Sequence, residues 1–250
     1  MIFKENIFHD YIFLVTGASS GIGAHVALTL NKLGAKIIAI GRDENKLLAQ
    51  KEQAKNSDDF ITISKDLSNF ENLDKWTLEL AKEYGGFNGA VLAAGIVKPL
   101  GINSLYYIHN AKEIFNINYF GNLQILKGLI DRRAKCKEDA SFVWISSTAS
   151  KNPGKGLSSY GASKAAIDTT IKSIALEIAP KYRINSILPG FVNTPMIQNE
   201  IFDNSFFTRS YPLGIGNVEN ISPLICFLLS SGSSWITGQE FIIDGGGESL

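Results

Sequence analysis

Short apolar runs alternate along this chain with longer stretches in which apolar positions recur at helical spacing. The runs fall at residues 11–16 (YIFLVT), 36–40 (KIIAI), 60–64 (FITIS), 90–93 (AVLA), 141–145 (SFVWI), 183–188 (RINSIL) and 240–243 (EFII). Each has the length of a strand and is apolar enough to be buried on both faces. Segments such as 22–33 and 73–84 lie between them and carry the helical period. The alternation predicts an α/β protein: one parallel seven-stranded sheet with helices on both faces. No internal repeat, low-complexity linker or charge block divides the sequence, so residues 1–250 are read as a single domain.

Composition narrows the class of partner. Of the 250 residues 45% are hydrophobic and 19% charged, enough for a sizeable core, which excludes disorder and collagen-like architecture. The 24 Lys plus Arg balance 24 Asp plus Glu, giving a formal net charge of +0. That balance offers nothing to draw nucleic acid or an acidic membrane surface, so a small-molecule partner is expected. Cys136 and Cys226 stand in no disulfide or zinc spacing, and His9, His25 and His109 do not cluster, so no metal site is expected. Lys4, Glu5 and Asp10 interrupt the apolar amino terminus, leaving no secretory signal, and no run has the length of a membrane span. The expected setting is the cytoplasm.

The first apolar run passes into TGASSGIG at residues 16–23 and then into a helical segment. Gly17, Gly21 and Gly23 remove side chains where backbone must approach a phosphate and where the helix must lie against the strand. The helix start offers free N–H groups and a positive dipole end. A dinucleotide pyrophosphate suits such a site. The GxxxGxG spacing differs from GxGxxG, however, and three glycines alone are a weak signal that leaves a tight structural turn open.

This turn resembles the cofactor motif of the short-chain dehydrogenase/reductase family in its compact single-domain form. Further blocks follow in the family's order: Asp66 in KDLS, Ala94 and Gly95 in LAAG, Asn118 in NINYFG, Ser147, YGASK at 160–164, PGFVNTP at 189–195 and ITGQEFIIDGGG near the end. The resemblance covers essentially the whole chain, and its motifs are specific jointly. It implies a Rossmann-like doubly wound sheet and a dehydrogenase/reductase acting on CH–OH groups, similar to 3-oxoacyl carrier protein reductases. The cofactor contacts it implies come from Gly17, Ser19, Ser20, Gly21, Ile22, Gly23, Asp66, Leu67, Ala94, Gly95, Tyr160, Lys164, Pro189, Gly190, Val192 and Thr194. Among these, Asp66 resembles the residue that contacts the adenine amino group, Thr194 the one that binds pyrophosphate, and Val192 the one whose backbone meets the nicotinamide carboxamide.

Tyr160 and Lys164 are four residues apart and therefore share one face of a helix. A lysine ammonium beside a tyrosine, with an oxidised nicotinamide ring nearby, favours the phenolate and lowers its pKa from about 10. The phenol can then exchange a proton with an alcohol or ketone oxygen near neutral pH. Ser147 stands 13 residues before Tyr160, at the carboxyl end of the fifth predicted strand, the sheet edge where such folds bind ligands. Its hydroxyl can hold the same oxygen, and the family spacing favours it over Ser146. By resemblance Asn118 completes a tetrad by holding a water that links Lys164 to solvent; an amide satisfied in the core is the structural alternative.

NAD-dependent proteins of this fold tend to carry an acid at the end of the second strand. Here Gly41 takes that place and Arg42 follows, a guanidinium suited to a 2′-phosphate, so NADP(H) is favoured over NAD(H). Two departures from the family stand out: Ala93 replaces an Asn, removing one polar contact between strands, and Ile215 stands where many relatives carry Arg.

The segment 196–215 resembles the family's substrate lid, where Ile201, Phe202, Phe206, Phe207 and Tyr211 suggest an apolar wall or an amphipathic helix packed on the core. Arg132, Arg133, Lys135 and Lys137 form a solvated helix end or a dock for an acyl carrier protein. The segment 114–130 is apolar all round and needs a second buried contact, from elsewhere in the chain or from another subunit; the resemblance implies that it and the helix after Tyr160 form the main contact of a homodimer or homotetramer. The leading reading is an NADP-dependent oxidoreductase moving a hydride between nicotinamide C4 and a ketone or secondary alcohol. Its substrate would be an acyl thioester, polyol, sugar or sugar nucleotide. The rival is a nucleotide-sensing or regulatory module without turnover, which would have no use for the Tyr160 and Lys164 pairing.

Overall fold

The computed structural model describes residues 3–196 and 211–247. Seven strands, β1 (Ile12–Thr16), β2 (Lys36–Gly41), β3 (Phe60–Ser64), β4 (Gly89–Leu92), β5 (Ser141–Ile145), β6 (Arg183–Pro189) and β7 (Glu240–Ile243), form one sheet. Every pairing is parallel, in the spatial order β3-β2-β1-β4-β5-β6-β7. This is the doubly wound Rossmann-like arrangement. The chain builds outward from β1 to β3, then returns to β4 and builds the other way, so a crevice opens beyond the carboxyl ends of β1 and β4.

Helices α1 (Gly21–Lys32), α2 (Glu44–Gln53), α3 (Leu73–Glu83), α4 (Tyr107–Phe115), α5 (Asn122–Ile130), α6 (Ser158–Ile178) and α7 (Val218–Leu229) cover the two faces. Successive strand residues point to opposite sides. Phe13, Val15, Ile37, Ala39 and Val143 pack with Val26 and Leu30 of α1 and Ile221 and Ile225 of α7. Leu14, Ile38, Leu92, Phe142 and Trp144 pack with Leu78 of α3, Leu126 and Leu129 of α5, and Ile167 and Ile171 of α6. Two apolar faces explain why the strands read as continuous runs. Each fully buried side chain of this kind contributes about 1.5–3 kcal/mol, so the two helix layers hold the sheet.

Polar groups close the ends. Asp43 caps α2 by accepting from the Lys46 N–H at 3.0 Å, and Asn217 and Asn220 cap α7 reciprocally. The buried Arg183 guanidinium on β6 donates to the carbonyls of Leu228, Ser230 and Ser233, satisfying the carboxyl end of α7.

The segment 114–130 departs from the continuous helix expected of it. A π-helical turn, Asn116–Gly121, separates α4 from α5 and rotates the side chains that follow. Ile114, Ile117, Ile125, Leu126 and Leu129 are buried, Tyr119 stacks on Trp144, and Leu123 packs partly on the core. Neighbours in the same chain therefore cover most of this surface, leaving Phe120 39% exposed. Among the described residues no helix is long and apolar enough to cross a membrane.

Candidate active site

A cleft of about 580 Å³ follows the carboxyl ends of the strands. Its floor begins at the glycine turn, where the Ala18 N–H donates to the Ile40 carbonyl at 3.0 Å. Gly17 has φ +67°, and a Cβ there would lie 2.8 Å from the Ala94 nitrogen; a Cβ on Gly23 would lie 2.4 Å from the Gly17 carbonyl oxygen. These two glycines let the turn fold onto β4 and onto the start of α1. The turn thus exposes backbone at a helix amino terminus, a cradle that suits a pyrophosphate. Thr194 lies against Gly21, its Cγ2 3.4 Å from where a Cβ would stand.

All the residues nominated from the sequence for cofactor binding border this one cleft. Gly17, Ser19, Ser20, Gly21, Ile22 and Gly23 form one wall, with Arg42, Asp66 and Leu67 at one end; Ala94, Gly95, Pro189, Gly190, Val192 and Thr194 continue it to Ser147, Tyr160 and Lys164. Asn118, expected in the tetrad, does not border the cleft and is fully buried.

Ser147 ends the run of residues that follows β5 and opens a short 3-10 turn, its Oγ accepting from the Ala149 N–H at 3.2 Å. Ser146 points inward, with its Oγ donating to the Lys164 carbonyl at 3.2 Å. The Lys164 Nζ sits 5.7 Å from the centre of the Tyr160 ring and donates to the Ile145 carbonyl at 2.8 Å. Burial pulls the Lys164 ammonium down to about 8, against the opposing pull of Asp168. Burial likewise pushes the Tyr160 phenol up, and the nearby Ser147 hydroxyl opposes it. The expected lowering of Tyr160 is therefore not made by the chain alone, because desolvation of the phenolate outweighs the opposing effect of Ser147.

The Asn118 side chain is committed to the core. Its Oδ1 accepts from the Ile96 N–H at 2.8 Å, and its Nδ2 donates to the Ile96 carbonyl at 3.0 Å and to Ser163 at 3.1 Å. It thereby fixes the strand exit beside Gly95, where an added Cβ would lie 3.3 Å from Asn118 Oδ1 and 3.6 Å from Lys164 Nζ. The tie between strands that Ala93 was expected to lack is made by other residues. The Thr16 hydroxyl accepts from the N–H groups of Ala93 and Ala94 and donates to Asn122 Oδ1 at 2.8 Å. Asn122 Nδ2 in turn donates to the carbonyls of Ala94 and Ile117. Sequence reasoning missed Thr16 and Asn122, whose partners lie as many as 106 residues away in the chain.

At the far end of the cleft, a Cβ on Gly41 would lie 3.1 Å from Ser19 Cβ and 3.3 Å from Leu47 Cδ2, so a carboxylate there would crowd the turn. Arg42, Lys46 and Lys65 line this end, together with Asp43, which pairs with Lys46 at 3.6 Å. Asp66 Oδ1 accepts from the Ser68 N–H at 2.9 Å.

Of the lid residues, Ile201, Phe202, Phe206 and Phe207 lie outside the described residues. Tyr211 packs edge-on against Phe191, and Ile215 is 41% exposed. In the basic cluster, Arg133 is held by Asp131 at 2.7 Å, which keeps that carboxyl well below its usual range, and Lys137 donates to the Gly85 carbonyl.

A parallel doubly wound sheet with a glycine turn at its switch point, and a Tyr, Lys and Ser gathered at the same edge, defines a nucleotide-binding α/β protein. Comparison with known proteins specifies which. A family profile described as enoyl-(acyl carrier protein) reductase matches residues 17–248. The chain is 32% identical over 243 residues to the 3-oxoacyl-[acyl-carrier-protein] reductase of Rickettsia bellii, covering 93% of this chain and 95% of that protein. It is 34% identical over 187 residues to an 11-beta-hydroxysteroid dehydrogenase-like protein of Arabidopsis thaliana, covering 74% of this chain but spanning only 60% of that protein's length. In three dimensions it resembles a short-chain dehydrogenase/reductase titled glucose/ribitol dehydrogenase from Brucella melitensis. The TM-score is 0.88 at 27% identity, over 97% of this chain and 98% of the other. The chain belongs to the short-chain dehydrogenase/reductase family and is an oxidoreductase that uses NAD(P).

Proposed function

We propose that this protein is an NADP(H)-dependent enzyme that interconverts a ketone and a secondary alcohol at a centre made by Ser147, Tyr160, Lys164 and Asn118. The observation that carries this reading is the meeting on one cleft of the Ser147 hydroxyl, the Tyr160 phenol and the Lys164 ammonium, whose Nζ is 5.7 Å from the centre of the Tyr160 ring. When bound, the nicotinamide supplies or accepts the hydride. Ser147 holds the substrate oxygen, and Tyr160 gives that oxygen its proton in reduction or takes it back in oxidation. Burial keeps the proton on Tyr160, and positive charge beside the ring makes its release easier. Asn118 stiffens the segment beside Gly95 against which the reacting groups must align.

NADP(H) is preferred because Gly41 supplies no acid to hold a ribose 2′-hydroxyl, while Arg42, Lys46 and Lys65 line that end beside Asp43. The names of the relatives favour two substrate classes, 3-oxoacyl thioesters and sugars or polyols. In fluorescence titrations NADPH should bind more tightly than NADH, and Arg42→Ala should lose most of the difference. With a panel of acyl thioesters, sugars and other ketones assayed by NADPH absorbance, Tyr160→Phe should keep cofactor binding while losing turnover by about 10²-fold or more. Equal affinity for the two cofactors would end the NADP assignment, and near-normal turnover in Tyr160→Phe would remove the tyrosine from the mechanism.

A further inference from the structure

Asp168 stands one helical turn beyond Lys164 on α6, and only 2% of its surface is exposed. A carboxylate buried to this degree is retained only where it is paired and hydrogen-bonded. Its Oδ2 accepts from Ser150 Oγ at 2.5 Å and lies 3.5 Å from Lys151 Nζ, while its Oδ1 lies 3.5 Å from Ser186 Oγ. Ser150 and Lys151 close the turn that Ser147 opens, with their N–H groups donating to the Ser147 and Thr148 carbonyls. Ser186 belongs to β6, which delivers Pro189 and Gly190 to the cleft. One carboxylate thus joins the helix carrying Tyr160 and Lys164, the turn carrying Ser147, and the strand that ends at the cleft.

We infer that Asp168 is a positioning residue of the reaction centre, holding the Ser147 turn against α6 and setting a negative charge one helical turn from the Lys164 ammonium. The inference rests on the roles proposed above for Ser147, Tyr160 and Lys164. From a neighbouring element Lys164 meets a neutral group, the Ile145 carbonyl; from its own helix it meets the Tyr160 phenol and Asp168. Asp168 in turn faces Lys151 from the turn. Lys151 also pairs with Glu240 of β7 at 2.5 Å, and Glu240 with Lys172. An asparagine would keep a hydrogen-bonding oxygen for Ser150 and remove only the charge, whereas Ser150→Ala would remove the tie and keep the charge. The two functions of the carboxylate can therefore be separated.

The experiment uses the full chain labelled with ε-13C lysine, the Lys164 resonance being identified by its loss in Lys164→Arg. Asp168→Asn should move the Lys164 titration midpoint downward by about half a unit or more, because desolvation is then unopposed. Ser150→Ala should leave that midpoint in place. In both variants turnover should fall about tenfold, with NADPH affinity at pH 6.5 unchanged within about threefold. A role confined to stability would lower the melting temperature and leave the midpoint still. An unmoved midpoint in Asp168→Asn, or unchanged turnover in both variants of an active parent, overturns the inference. A parent that turns over no carbonyl compound defeats the proposed function instead. Ser150→Ala tests the tie whether or not Asp168→Asn folds.

Discussion

Replacing Lys164 with methionine should abolish turnover and yet relieve the fold of a burden that depends on pH. Lys164 is 5% exposed, and burial draws its ammonium from 10.5 to about 8. A gap of about 2.5 units at about 1.4 kcal/mol each means that the charged lysine lowers stability by about 3 kcal/mol. The sign follows from proton counts. Below pH 8 both states hold the proton and the penalty is complete. Between about 8 and 10.5 the unfolded chain binds more protons than the folded one, so parent stability rises with pH; above 10.5 neither state is charged and the penalty is gone. Methionine also leaves the Ile145 carbonyl without its donor, a cost of about 1–3 kcal/mol that does not change with pH. Urea unfolding of both proteins at pH 7, 8.5, 9.5 and 10.5 isolates the titrating part. The stability of Lys164→Met minus that of the parent should decrease by about 3 kcal/mol across this range. A difference constant within about 0.5 kcal/mol would refute the account of Lys164 as a desolvated cation.

Asn122→Leu should lower stability by about 3 kcal/mol, because the Thr16 hydroxyl and the Ala94 and Ile117 carbonyls lose a buried partner; thermal unfolding should show a fall of about 6–12 °C. A change under about 1 kcal/mol would mean that these groups find other partners. Light scattering at micromolar concentration should give a dimer or tetramer mass, and Phe120→Asp, at the residue left 39% exposed in the π-helical turn, should lower it. A monomeric parent would reject assembly through this face.

Much of the architecture was legible in the chain because strands covered on both faces must be apolar throughout. All seven runs became strands with ends displaced by no more than one residue, and the residues nominated around the glycine turn border one cleft. The juxtaposition of Tyr160 and Lys164 was legible for a local reason: they are one helical turn apart, a relation fixed by spacing alone. Three-dimensional packing decided the rest. Periodicity could not say which face of each strand meets which helices, since both faces are apolar, and it passed over the π-helical turn that commits Asn118 to Ile96. Thr16 with Asn122, and Ser150 with Asp168, are ordinary polar residues in the sequence; only the folded backbone brings each pair into hydrogen-bonding distance. The same holds for proton affinities. A lysine one turn from a tyrosine suggests a lowered phenol, yet burial governs both groups before any cofactor charge arrives. Apolar period and helical spacing act over a few residues and survive in the sequence, whereas desolvation and long-range hydrogen bonds depend on what the rest of the chain places nearby.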